Sequence, residues 1–215
     1  MAFMTPEDVQ KLLATAQDTP YYTLIYAALY TGMRRGELLG LRWCDVDLDM
    51  ATLSVVQSLQ RRYGGEFLVK EPKSSRGRRL IALPPSLAIL LRQHKAQQDD
   101  VRKLLGLALA ETDLVFAHLD ASPLDPSTIS HAFGRITRKA GLPNIRFHDL
   151  RHTHASLMLR NGVHPKIVSE RLGHSSIAIT LDTYSHVLPG LQEAAALRFE
   201  DALQGTRQRQ PAHVG

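Results

Sequence analysis

The sequence predicts a mainly α-helical protein carrying one small three-stranded antiparallel sheet, an α+β arrangement. Three observations lead there. Apolar residues recur at helical spacing over most of the chain, beginning with Val9, Leu12, Leu13 and Ala16. Between Ala51 and Leu83 the texture changes to short β-branched segments. Glycines such as Gly141, Gly162 and Gly173 fall where helices are expected to stop.

The elements follow in order. Thr5-Pro6-Glu7-Asp8 is a helix start, with a capping hydroxyl, a proline suited to the first helical position and two acids facing the positive helix end. A second helix is expected from Tyr21 to Thr31. It is apolar nearly all round, so it belongs in the core, and Gly32 ends it. A short third helix follows over Arg35 to Leu41. Strands are expected at Ala51–Gln57, Glu66–Lys70 and Arg79–Leu83, with Gly64-Gly65 as the first turn. Helices then return at Ser86–Leu105, Pro126–Ala140, Asp149–Asn161, Pro165–Leu172, Ile177–Tyr184 and Leu191–Leu203. The last of these has an apolar stripe of Leu191, Ala194, Ala195, Ala202 and Leu203, which reads as packing on the core. One domain is expected over residues 1–204, with a disordered tail at 205–215.

Composition narrows the class. The 215 residues contain no apolar run of membrane-spanning length, and the N-terminus lacks the basic-then-apolar order of a signal peptide. A single cysteine, Cys44, excludes an internal disulfide and reads as a small buried residue. A soluble cytoplasmic protein is expected. The net charge of +5 is concentrated: Arg61, Arg62, Lys70, Lys73, Arg76, Arg78 and Arg79 face only Glu66 and Glu71 between positions 61 and 79. Such an excess suits a polyanion, because phosphate contacts release counterions from nucleic acid. A merely solvated loop would look the same. Arg61, Arg62, Arg76, Arg78 and Arg79 are the candidate DNA-binding residues.

The candidate chemistry begins at Phe147–His154, which reads FHDLRHTH. His148 and His152 are four apart on one helical face, the spacing of a zinc-protease pair. The residue after the first histidine is Asp149 rather than the longer glutamate, and only His154 and His174 offer a third ligand, so no metal is expected. His148 and Arg151, three apart, share a face as well. Arg34 follows Gly32-Met33, Lys73 sits in the cationic connection, His174 follows Leu172-Gly173, and Tyr184 stands ten residues further on.

Taken in order, the segments T-G-M-R-R-G-E, E-P-K-S-S-R, H-D-L-R-H, L-G-H-S-S and L-D-T-Y-S-H resemble the catalytic domain of the tyrosine recombinases, the phage integrase family. The likeness covers nearly the whole chain. It implies that Arg34 is the first catalytic arginine and Glu37 the acid that supports it. It likewise implies that Lys73 is the lysine of a mobile sheet loop, that His148 and Arg151 form the His-x-x-Arg pair, that His174 fills the His-or-Trp position, and that Tyr184 is the nucleophile. It implies a double-stranded DNA partner, a 3′-phosphotyrosyl intermediate, no cofactor and a homotetramer on DNA, with the isolated domain free to be monomeric. In this family the C-terminal helix often docks onto a neighbouring protomer. Family members usually carry a further N-terminal helical domain that closes around DNA. This sequence opens on what reads as the first catalytic-domain helix, so that clamp is expected to be absent, and a DNA-binding module without turnover is the alternative.

The residue types fit such chemistry on their own terms. A phosphodiester under attack gathers negative charge on its non-bridging oxygens, which two arginines can clamp through bidentate hydrogen bonds. A tyrosine hydroxyl, with an ordinary pKa of about 10, needs help to lose its proton, and His148 is the candidate, either to accept that proton or to position the phosphate. The leaving 5′ oxygen needs a proton, and Lys73 is a reasonable acid.

Overall fold

The structure is a computed structural model that describes residues 3–62, 64–71, 77–184, 196–197, 199–201 and 203. The first helix, α1 (Pro6–Ala16), starts on a reciprocal cap. Thr5 Oγ1 accepts from the Asp8 amide at 3.2 Å, and the Asp8 carboxylate accepts from the Thr5 amide at 3.3 Å. Next comes α2 (Tyr22–Thr31), which buries Leu24, Ile25, Ala27, Ala28 and Leu29 at the centre of the main core. Gly32 ends it with φ +66°, and its amide returns to Ala28 O at 3.0 Å. A β-carbon at Gly32 would come within 2.6 Å of the His154 ring and 2.8 Å of Leu172, so this turn needs glycine for space as well as for φ. The short α3 (Arg35–Leu39) stops at Gly40, two residues earlier than expected.

The β region departs from the single three-stranded sheet that the sequence suggests. Strands β1 (Val46–Asp47), β2 (Thr52–Val55) and β5 (Arg79–Ala82) form a three-stranded antiparallel sheet in the order β1-β2-β5. A separate hairpin pairs β3 (Ser58–Arg61) with β4 (Phe67–Lys70), Leu59 opposite Val69. The strand expected over Ala51–Gln57 is thus shortened, with β2 ending at Val55, and β3 beyond it is a strand the sequence reading did not include. The cause is tertiary. Gln57 Nε2 donates to Gly40 O at 2.7 Å, and a β-carbon on Gly36 would meet Ser58 Oγ at 2.6 Å and Leu59 O at 2.8 Å. Close contact with α3 therefore pulls the chain out of the first sheet and into a second. Gly64 and Gly65, both at positive φ, lie between β3 and β4 as expected.

The remaining helices are α4 (Pro85–Leu104), α5 (Pro126–Lys139), α6 (Asp149–Arg160), α7 (Pro165–Leu172) and α8 (Ile177–Tyr184). Each lies within a residue or two of its expected span. Asp125 caps α5 by accepting from the Ser127 and Thr128 amides at 2.8 and 3.0 Å. Phe133 of α5 meets Phe147 edge-on at 5.3 Å, which fixes the lead-in to α6. A second, smaller apolar cluster joins α6, α7 and α8 through Ala155, Leu159, Val168, Leu172 and Tyr184. Of the expected C-terminal helix, residues 196–197, 199–201 and 203 are described, and these are helical. The tail at 205–215 lies outside the described residues. Cys44, expected to be buried, is exposed, since its place is fixed by its backbone amide, which donates to Glu111 O at 2.7 Å. Among the described residues no helix is long and apolar enough to cross a membrane.

Candidate active site

Arg34 leaves α2 just beyond the Gly32 turn, anchored by buried Met33. Its amide donates to Glu37 Oε2 at 2.8 Å, and its guanidinium to Glu37 Oε1 at 2.9 Å. The arginine side chain remains nearly half exposed. Glu37 is buried, and its carboxylate also accepts from Arg79 at 2.8 and 3.2 Å. Burial alone would raise the Glu37 carboxyl, but hydrogen bonds and charge from Arg79, then Arg34, hold it below its ordinary range.

Arg151 is almost fully buried in α6. It donates to Gly32 O at 2.7 Å and Leu172 O at 2.8 Å. Both carbonyls lie at helix C-termini, where unpaired carbonyls and the helix dipole favour a cation. Burial, followed by the nearby Arg34 charge, pushes its pKa down to about 9, which still leaves it charged at neutral pH. These bonds engage two of its five N–H donors.

His148 is exposed at the N-cap of α6, and its pKa is lowered by burial of the ring and by Arg151. His174 follows Gly173, the left-handed residue that ends α7. Its Nδ1 meets Thr180 Oγ1 at 2.8 Å, and burial together with the Arg151 and Arg34 charges lowers its pKa to about 4. Tyr184 ends α8 only 1% exposed, with its hydroxyl 2.8 Å from His152 Nδ1. Burial raises its pKa, and Arg151 partly opposes that rise. Arg34, Glu37, His148, Arg151, His174 and Tyr184, scattered over 150 residues of sequence, therefore form one cluster of charge-coupled groups, in which Arg34 and His148 are exposed and Glu37, Arg151 and Tyr184 are buried. Lys73 and Arg76 lie outside the described residues.

The other expected DNA-binding arginines divide. Arg61 is half exposed and paired with Asp125, while Arg62 and Arg78 are exposed beside Glu66 and Glu71. Arg79 is different. Its side chain is 6% exposed, and it joins Glu37 to the backbone of α7 by donating to Arg171 O at 2.7 Å. Its charge is neutralised inside the fold instead of being presented on a solvated loop. Composition could not reveal this, because charge counts carry no burial.

Sequence reasoning also passed over several residues. His152, considered only as a metal ligand, contacts Tyr184. Thr180 holds His174. Arg171 donates to Tyr30 O at 2.8 Å, Ala82 O at 3.0 Å and His154 Nε2 at 3.1 Å, tying α2, β5 and α6 together. The Arg171 bond makes His154 Nε2 an acceptor, so the proton is on Nδ1 and donates to Leu29 O at 2.7 Å. Beside Arg34 and His148 runs a groove of about 990 Å³ lined by Arg35, Arg61, Ser127, Ser130, His131 and Arg146. Arg35 and Arg146 lie outside the basic segment that stood out in the sequence.

The chain belongs to the phage integrase family, which residues 2–190 match. It is 32% identical to a tyrosine recombinase XerC-like protein of Caldanaerobacter subterraneus, covering 91% of this chain and 53% of that protein. It is 31% identical to the ICEBs1 integrase of Bacillus subtilis, covering 94% of this chain and 55% of that one. The chain thus spans about half the length of the curated relatives it matches. Its fold is similar to that of the Tn1549 transposon integrase in complex with circular intermediate DNA, with TM-score 0.78, 25% identity, and 92% and 67% of the two chains covered. It is also similar to XerA recombinase, with TM-score 0.67, 26% identity, and 98% and 66% covered.

Proposed function

We propose that this chain is the catalytic domain, over residues 1–204, of a site-specific DNA recombinase of the integrase type that serves integration or excision of a mobile element. The single observation that carries this reading is the clustering of Arg34, Arg151, His148 and His174 with Tyr184. Tyr184 attacks a backbone phosphate of double-stranded DNA and forms a 3′-phosphotyrosyl link, releasing a 5′ hydroxyl. The arginines and His174 receive the charge that develops on the non-bridging oxygens. Each such preorganised donor is worth about 10²–10³ in rate. Lys73 supplies the proton for the leaving oxygen. Because the phosphotyrosyl bond conserves the energy of the broken linkage, the strand is resealed by reversal, with neither ATP nor a metal. The groove beside Arg34 takes the flanking backbone, and a homotetramer assembled on DNA exchanges the strands.

The test is covalent capture. A duplex nicked near the cleavage site loses a short fragment after attack, so the adduct accumulates. Tyr184→Phe is expected to bind DNA as the wild type does and to form no adduct; an undiminished adduct in that variant overturns the assignment. Wild-type binding without any adduct would leave a DNA-binding module.

A further inference from the structure

The HDLRHTH segment contains a histidine that the chemistry above does not use. His152 is 8% exposed on the inner face of α6, one residue beyond Arg151. Its Nδ1 lies 2.8 Å from the Tyr184 hydroxyl, and its ring stands edge-on to that of His148 at 4.7 Å. Tyr184 is enclosed by the apolar cluster of α6, α7 and α8, so its oxygen meets His152 away from bulk water. His148 stands at the N-cap position of α6, exposed and lining the groove.

We infer that His152 is the group that takes the proton from Tyr184 during strand cleavage and returns it on rejoining. The inference rests on the recombinase reading above. As the Tyr184 oxygen–phosphorus bond forms, the phenol proton passes to His152 Nδ1. The bond from phosphorus to the 5′ oxygen breaks, and that oxygen takes a proton from the acid assigned to Lys73. Rejoining reverses each transfer. The contact is within direct reach for general base catalysis. The groups facing His152 are His148, Asp149, Arg151 and Arg146 from α6 and its lead-in, His174 from the turn before α8, and Tyr184 itself. Burial, then His148, then the arginines against the opposing Asp149, hold His152 neutral at pH 7, with a pKa of about 4. A neutral ring can accept, and an arriving phosphate anion offsets the arginine charges that disfavour its protonated form.

The test uses the whole chain and suicide duplexes that wild-type protein captures covalently from a randomised pool. His152→Gln is expected to bind these duplexes normally and to cleave on the order of 10²–10⁴ more slowly. A 5′-bridging sulfur, which leaves without needing a proton, should not restore the rate. Between about pH 6 and 9 the variant's rate should climb tenfold per pH unit as hydroxide replaces the base, while the wild type stays flat in the same range. Imidazole should restore activity to His152→Ala. Cleavage by His152→Gln at the wild-type rate or faster, rescue by sulfur, or a slow but pH-independent rate would overturn the role of His152 alone. Failure of the wild type to capture any duplex would overturn the recombinase reading, and this inference with it.

Discussion

Glu37 is held between Arg34 and Arg79, a buried carboxylate with a charge on either side. Removing one partner of such a pair is costly, since the remaining charge stays buried without compensation. Arg79→Met is therefore expected to destabilise the protein by on the order of 3–5 kcal/mol in urea unfolding. A loss below about 1 kcal/mol would place Arg79 with ordinary surface charges. The same pair gives an acid signature. The Glu37 pKa is lowered on folding, so its stabilisation is present above the ordinary carboxylate value and is lost as pH falls through the folded value. At this scale the sequence was partly legible. Arg34, Glu37, His148, Arg151, His174 and Tyr184 announce themselves through motif and order, and the fold brings them together. Arg79 and His152 did not, because each owes its part to neighbours more than thirty residues away in the chain.

Helix α6 concentrates titratable groups inside the fold, and its lead residues would otherwise read as an ordinary polar stretch. His152 and His154 both carry pKa values pushed down to about 4, first by burial and then by nearby positive charge, from His148 for one and Arg171 for the other. Unfolding restores both to about 6.5, so the unfolded chain binds more protons across the interval between. Stability should thus fall as pH drops from about 6.5 towards 4, by on the order of 2–3 kcal/mol for each histidine. Urea unfolding at several pH values checks this, and His154→Gln should remove its share of the slope. A flat profile would mean that these rings are wetter than the packing indicates. The helices themselves were legible from spacing and caps, as at Thr5 and Asp125. The divided sheet was not, because it depends on Gly36 and Gly40 admitting the backbone of β3, and no local propensity encodes that approach.

For the molecule as a whole, the groove beside Arg34 and His148 is a basic surface assembled from three separate parts of the chain. Arg34 and Arg35 come from the start of α3, Arg61 from β3, and Arg146 from the lead-in to α6. The sequence placed its cationic excess in one segment, whereas the fold draws only Arg61 of that segment into the groove and adds Arg34, Arg35 and Arg146 from stretches that composition had left neutral. In the recombinase reading proposed above such a surface would meet DNA through phosphates, and each phosphate contact releases counterions whatever the base sequence. Arg146 is the plainest probe, because its side chain is 78% exposed and its ion pair with Asp149 is long at 3.3 Å. The Arg146 amide, at 2.8 Å, keeps Asp149 partnered whichever side chain stands there. Arg146→Gln should therefore fold normally and bind both matched and unrelated duplexes more weakly, with the slope of log affinity against log salt reduced by about 1. An unchanged slope would move the DNA track away from this groove. Loss confined to one duplex sequence would make Arg146 a reader of bases rather than of the backbone.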